Sequence, residues 1–139
     1  MTVIPLVIGL TVVAVAGCGT SSQADSEELA VAAGDRWLEL VDSRDYSGSW
    51  QEAAEIFKSA VTREGWVQTV ENVRKPLGAV ISREVRSKSY STTLPGAPDG
   101  EYVVIQYSTE FENKRTAVET VTPLRESDGT WRVSGYYVK

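Results

Sequence analysis

The stretch EYVVIQYSTEF, Glu101 to Phe111, decides the fold. Val103, Ile105, Tyr107, Thr109 and Phe111 alternate with Tyr102, Val104, Gln106, Ser108 and Glu110. A period of two places one set on a core and the other toward water, so this is a half-buried β-strand. Downstream, Glu112-Asn113-Lys114-Arg115 reads as a short turn, with Asn able to take positive φ. Thr116 to Arg125 is a Val/Thr-rich strand, Ser127-Asp128-Gly129-Thr130 a hairpin turn, and Trp131 to Val138 a last strand. In that last strand the apolar phase shifts from Trp131 and Val133 to Tyr136 and Val138 across Gly135, which predicts a β-bulge. Upstream, Gly78 to Thr93 reads as a long strand with one solvated face, followed by the Pro- and Gly-rich loop Leu94 to Gly100. Four strands joined in sequence make an antiparallel meander.

The segment before the strands reads as three helices. Asp25 and Glu28 have capping-box spacing, and Leu29, Ala33, Trp37, Leu40 and Val41 form one apolar stripe. Ser49 is the expected cap of a second helix carrying Trp50, Ala53, Ala54 and Phe57. Thr62 starts a third, with Trp66, Val70 and Val73, ended by Pro76 and Gly78. Helices followed by strands give an α+β class: three helices packed on a four-stranded curved antiparallel sheet.

The chain has 139 residues, enough for one domain. Its net charge of −5 and the lack of a basic stripe exclude an ordinary nucleic-acid binder. It has no His and one Cys. That removes the commonest neutral-pH acid–base group and leaves no multi-cysteine metal site or internal disulfide. No cofactor or metal is expected. The domain is expected to be monomeric.

Residues 1–17 carry no charged side chain and are strongly apolar, ending in Val15-Ala16-Gly17-Cys18 before a polar run to Asp25. This resembles a bacterial lipoprotein signal with its lipobox. The resemblance implies cleavage between Gly17 and Cys18, and lipid on the Cys18 sulfur and amine, palmitate included. It also implies a bilayer as partner, since several acyl chains anchor stably where one does not. An uncleaved membrane helix and a plain secretory signal are the competing readings. No Lys or Arg precedes the apolar run, which a start site upstream would explain. Residues 18–25 are then a tether, holding the domain about 15 Å from the anchor by random-coil scaling, and 26–139 the domain. Gly19, rather than Asp, after the Cys favours an outer-membrane, periplasm-facing placement in a diderm envelope.

Several fragments in order carry a second resemblance: Trp37-Leu38-x-Leu40-Val41-Asp42, Ser49-Trp50, Arg74-x-Pro76-Leu77-Gly78, Leu94-Pro95-Gly96-Ala97-Pro98-Asp99-Gly100, Phe111-x-Asn113-Lys114 and Trp131-Arg132-Val133-x-Gly135-Tyr136. Together they resemble domain of unknown function 4019, a family of short bacterial envelope proteins. The resemblance implies a cystatin-like or nuclear-transport-factor-2-like cone, with helices in the concavity of the sheet, and no attached activity.

Three functions compete on this reading. The first is a non-catalytic binding or accessory module for a small apolar ligand or another envelope protein, with Trp50, Trp66, Tyr107, Val121 and Trp131 as candidate pocket lining. Core packing is the plainer role for these rings. The second is a small enzyme using a carboxylate and a tyrosine. Glu119 is the acid in the middle of a Val/Thr strand, with Arg83 in the neighbouring strand as its expected partner; a buried Glu119–Arg83 ion pair is the plainer role. The third acts through a strand edge or the Leu94–Gly100 loop. Arg83, Arg86 and Lys88 read as a solvated basic face.

Overall fold

A computed structural model describes residues 21–139. The anchor strand is β2, Tyr102–Phe111, and it is flanked in order by β1 (Val80–Ser91), β3 (Lys114–Arg125) and β4 (Trp131–Val138). All three pairings are antiparallel and the sheet order follows the chain, β1-β2-β3-β4. Val103, Ile105, Tyr107, Thr109 and Phe111 are buried on the helical side. The helices are α1 (Ser21–Asp42), α2 (Tyr46–Gln51), α3 (Glu55–Ala60) and α4 (Arg63–Leu77). The class is therefore α+β, with four helical segments among the described residues rather than the expected three.

Four helix expectations are corrected. Helix α1 starts at Ser21, so residues 21–25 of the expected tether are helical and Asp25 is inside the helix rather than at its cap. Cys18 and the apolar leader lie outside the described residues. The buried stripe of α1 is Ala30, Ala33, Trp37, Leu38 and Val41, while Leu29 is 60% exposed. The stripe rotates because Gly34 faces the sheet. A Cβ there would lie 3.1 Å from the Tyr107 hydroxyl and 3.4 Å from Ile105 Cδ1, so glycine lets the helix lie close on β2 and β3. The expected second helix is two helices. Asp45, not Ser49, caps α2, accepting from the Gly48 N–H at 2.9 Å. The chain then breaks at Ala53-Ala54, both fully buried, where the Ala54 N–H donates to Val133 O at 2.8 Å on the outer edge of β4. That bond to another element displaces a continuous helical ladder. Thr62 caps α4 as expected, accepting from the Gly65 N–H at 3.1 Å.

The β4 irregularity falls at the predicted place. Thr122 pairs with Gly135 but Pro123 pairs with Val133, which leaves Ser134 as the extra residue. Its hydroxyl donates to Thr122 O at 2.7 Å. The bulge lets Val133 and Tyr136 both reach the core. The β2–β3 turn is tighter than expected, Glu112-Asn113 alone, and Asn113 keeps negative φ. It is held instead by docking. Asn113 donates from its backbone to Leu77 O (3.0 Å) and from Nδ2 to Pro76 O (3.0 Å), closing the carbonyl end of α4. The Leu94–Gly100 loop does not project freely. Leu94 and Ala97 pack on buried Tyr102, whose hydroxyl donates to Pro98 O at 2.7 Å.

Candidate functional site

One ionic network joins the sheet to the ends of two helices. Glu119, on β3, is fully buried. Its Oε1 accepts from Arg83 Nε of β1 at 2.7 Å and from the Thr109 hydroxyl of β2 at 2.6 Å. Its Oε2 accepts from the Tyr136 hydroxyl of β4 at 2.5 Å. Each of the four strands thus contributes one group, placed by the pleat that turns these positions inward. The far side of the Arg83 guanidinium forms a fork with Asp42, the last residue of α1, at 2.7 and 3.0 Å. Asp42 also accepts from Arg74 Nη2 of α4 at 2.9 Å. Two guanidinium groups thus face two carboxylates.

The charges decide the energetics. A buried carboxylate alone costs several kcal/mol, roughly, even after relaxation. Glu119 offsets this with one cation and two hydroxyl donors on its two oxygens, the arrangement that makes such burial tolerable. Burial alone would raise the Asp42 carboxyl, but the hydrogen bonds and charges of Arg83 and then Arg74 outweigh it and hold the group below its ordinary range. Burial, then the Glu119 charge, pushes the Tyr136 phenol far above its ordinary value. Tyr107 behaves alike: burial and a 2.8 Å hydrogen bond to Asp35 keep it protonated. Arg83, read as part of a solvated face with Arg86 and Lys88, turns inward instead; only the latter two are exposed.

The aromatic candidates fill space rather than line it. Trp66, Tyr107 and Val121 are buried members of the main core, and Trp50 packs half-buried against it. Trp66 meets Trp37 at 5.9 Å and Phe57 at 4.9 Å between ring centres, and Trp37 meets Tyr136 at 5.3 Å. Four large rings at these distances occupy the volume between helices and sheet. Ser49 makes this dry packing possible. Its carbonyl accepts from Trp37 Nε1 at 2.8 Å and its hydroxyl from Trp66 Nε1 at 2.9 Å. Trp50 Nε1 finds Val61 O at 2.9 Å. Of the five proposed pocket residues, Trp131 alone lines a described hollow, a groove of about 490 Å³ between α1 and β4 floored by Trp37 and Val133. A second hollow, of about 350 Å³, lies where α1 and α4 end, beside the ionic network. No group of three metal-ligating side chains occurs among the described residues.

Sequence reading found the Arg83–Glu119 pairing but missed Asp42, Arg74, Thr109 and Tyr136. The available signal was an acid closing the first helix and an arginine inside Arg74-x-Pro76-Leu77-Gly78. The spacing of Ser49 to Glu52 fits a cap, but Ser49 is instead the acceptor for two indoles.

Fold and network together define a small α+β domain whose inward ionisable groups are tied to one another. The chain belongs to the family described as "Protein of unknown function (DUF4019)", whose model matches residues 33–136. The match runs from the buried face of α1 to Tyr136 of the network. No curated protein matches the chain.

Proposed function

We propose that this protein is a lipid-anchored component of the bacterial cell envelope, whose domain is a non-catalytic binding or accessory module on the periplasmic side. The observation that carries the anchor is the run Val15-Ala16-Gly17-Cys18, small residues before a lone cysteine at the end of an uncharged apolar leader. No helix among the described residues is long and apolar enough to cross a membrane, so the leader is the segment on which membrane attachment rests. The non-catalytic reading is supported by Glu119. A catalytic carboxylate needs a face open to substrate, whereas both oxygens of Glu119 are taken by Arg83, Thr109 and Tyr136 at full burial. The carboxylate–tyrosine pair that an enzyme would need is spent on holding strands together. A placement in the outer membrane follows from Gly19, on the same signal logic.

Metabolic labelling with a fatty acid tests the anchor. Label is expected on the wild-type chain and none on Cys18→Ser; equal label on both, or none on either, overturns it. Tryptophan fluorescence across a panel of small apolar molecules tests the kind of partner. A response assigns a small-molecule module, and silence with a crosslinked envelope protein assigns a protein partner.

A further inference from the structure

The hollow of about 350 Å³ at the ends of α1 and α4 is walled by Val41, Arg44, Tyr46, Arg74, Lys75 and Ala79. We propose that it binds the oxyanion group of a soluble carboxylate or phosphate compound. The proposal deepens the binding-module reading by giving the ligand its chemistry.

Charge makes the case. Two acids, Asp42 and Glu71, also border the hollow. Asp42 is already neutralised, since its oxygens accept from Arg74 and twice from Arg83. That leaves Arg44 and Lys75 against Glu71 alone. Behind them stands Arg74, 5% exposed, with Nε and Nη1 lacking any hydrogen-bond partner. Its Nη2 is paired with Asp42 at 2.9 Å, and the guanidinium lies 5.0 Å from the Phe111 ring. Neither orphan nitrogen touches solvent. Arg44 and Lys75 therefore make the direct contacts, and with Arg74 spent on Asp42 the hollow keeps one positive charge in excess over Glu71.

Helix ends argue the other way at first sight, since carbonyl termini are negative. Here they are quenched from within the chain. Leu40 O and Val41 O accept from the backbone of Asp45 and Arg44, and Pro76 O and Leu77 O accept from Asn113. The turn after α1 also sets Arg44 at φ 66°, where this type of helix end favours glycine. A strained position thus keeps a cation at the rim of the hollow.

The choice of a soluble source rests on the anchor reading. Helix α1 has 22 residues, about 33 Å at 1.5 Å per residue, and the hollow lies at its Asp42 end, whereas the expected anchor precedes its Ser21 end in the sequence. A headgroup of the anchoring bilayer is on the wrong side.

The test is a titration of the full chain in detergent micelles with inorganic phosphate, and separately with succinate, at constant ionic strength, followed by backbone amide NMR. Saturable shifts are expected at Arg44, Lys75, Gly78 and Ala79. Arg44→Ala and Lys75→Ala should each weaken binding about tenfold, the size of one charge-assisted contact. Glu71→Gln should tighten it, and Lys88→Ala on β1 should change nothing. Thermal midpoints of each variant show whether the fold survives. Linear, unsaturable shifts, or equal loss in Lys88→Ala and Lys75→Ala, overturn the proposal. Vesicles of phosphatidylglycerol that retain Cys18→Ser through Lys75, with no response to free phosphate, also overturn it, in favour of a headgroup. A failed fatty-acid labelling leaves the titration intact, and a failed titration leaves the labelling intact, so the two readings fall separately.

Discussion

The indole N–H of Trp66 donates to the hydroxyl of Ser49 at 2.9 Å, inside a core that holds neither residue to solvent. Because the Ser49 carbonyl also takes the Trp37 N–H, one small residue satisfies two buried indoles. Ser49→Ala removes one acceptor and keeps the other. The cost expected is that of an orphaned buried donor, about 1–3 kcal/mol, and urea midpoints with an unchanged slope will show it. Serine to cysteine at the same place should cost less.

Glu119→Ala takes the shared acceptor from Arg83 Nε and from the Thr109 and Tyr136 hydroxyls, leaving Arg83 only its fork with Asp42, and about 3–5 kcal/mol is the expected loss. Replacing both partners, as Arg83→Met with Glu119→Leu, should recover part of it, because no buried charge then lacks its opposite. A double-mutant cycle on unfolding free energies measures the difference. Equal losses in the single and double variants would mean that Thr109 and Tyr136, rather than Arg83, carry the contact.

The network also fixes how stability varies with pH. Asp42 is held below its ordinary value of 3.8, so its contribution is present above that pH and is lost as pH falls through the lower folded value. Tyr136 and Tyr107 are raised above their ordinary value of 10.0, so theirs is present below pH 10.0 and lost as pH rises beyond it. Asp42→Asn should flatten the acid limb of a midpoint-versus-pH curve, and Tyr136→Phe the alkaline limb.

Gly34 and Gly78 should reject alanine for different reasons, while Arg44 should accept glycine. At Gly34 a helix interior gains up to about 1 kcal/mol from alanine by propensity, but the new Cβ would sit 3.1 Å from the Tyr107 hydroxyl that reaches Asp35. Gly34→Ala should therefore destabilise alone and turn neutral or stabilising beside Tyr107→Phe. Gly78 has φ 78° and a Cβ there would lie 3.0 Å from Glu112 Cβ, so its alanine variant is strained twice over. Arg44, at φ 66°, should gain roughly 1 kcal/mol on becoming glycine, read as a rise in thermal midpoint.

The strands were legible because their signals are local. Alternation from Val103 to Phe111, Ser-Asp-Gly before Trp131, and the phase slip at Gly135 each lie within a few residues. Thr62 announced α4 in the same way. The break between α2 and α3 was not legible, because it depends on Ala54 bonding to Val133, far along the chain. Arg83 with Glu119 could be read because Glu119 is the acid in the middle of a Val/Thr strand and Arg83 lies in the neighbouring sheet region. Asp42, Arg74 and Tyr136 could not, since each sits where an ordinary exposed or half-exposed side chain would also fit. Trp50, Trp66 and Tyr107 suggested a pocket because large rings serve cavities and cores alike; Gly34 tips the balance to a core by letting α1 settle on the sheet.

Both rims of the sheet are marked against intrusion. On one side Ala54 occupies the Val133 carbonyl of β4, and on the other β1 carries extra residues at Ile81 and Arg86 that bend its hydrogen-bonding row. A bent, charged rim makes a poor template for a foreign strand. Molecules tethered to one bilayer meet one another far more often than molecules free in solution. Under the lipid anchor proposed above, these two blunted borders would let such neighbours collide repeatedly without zipping into fibres.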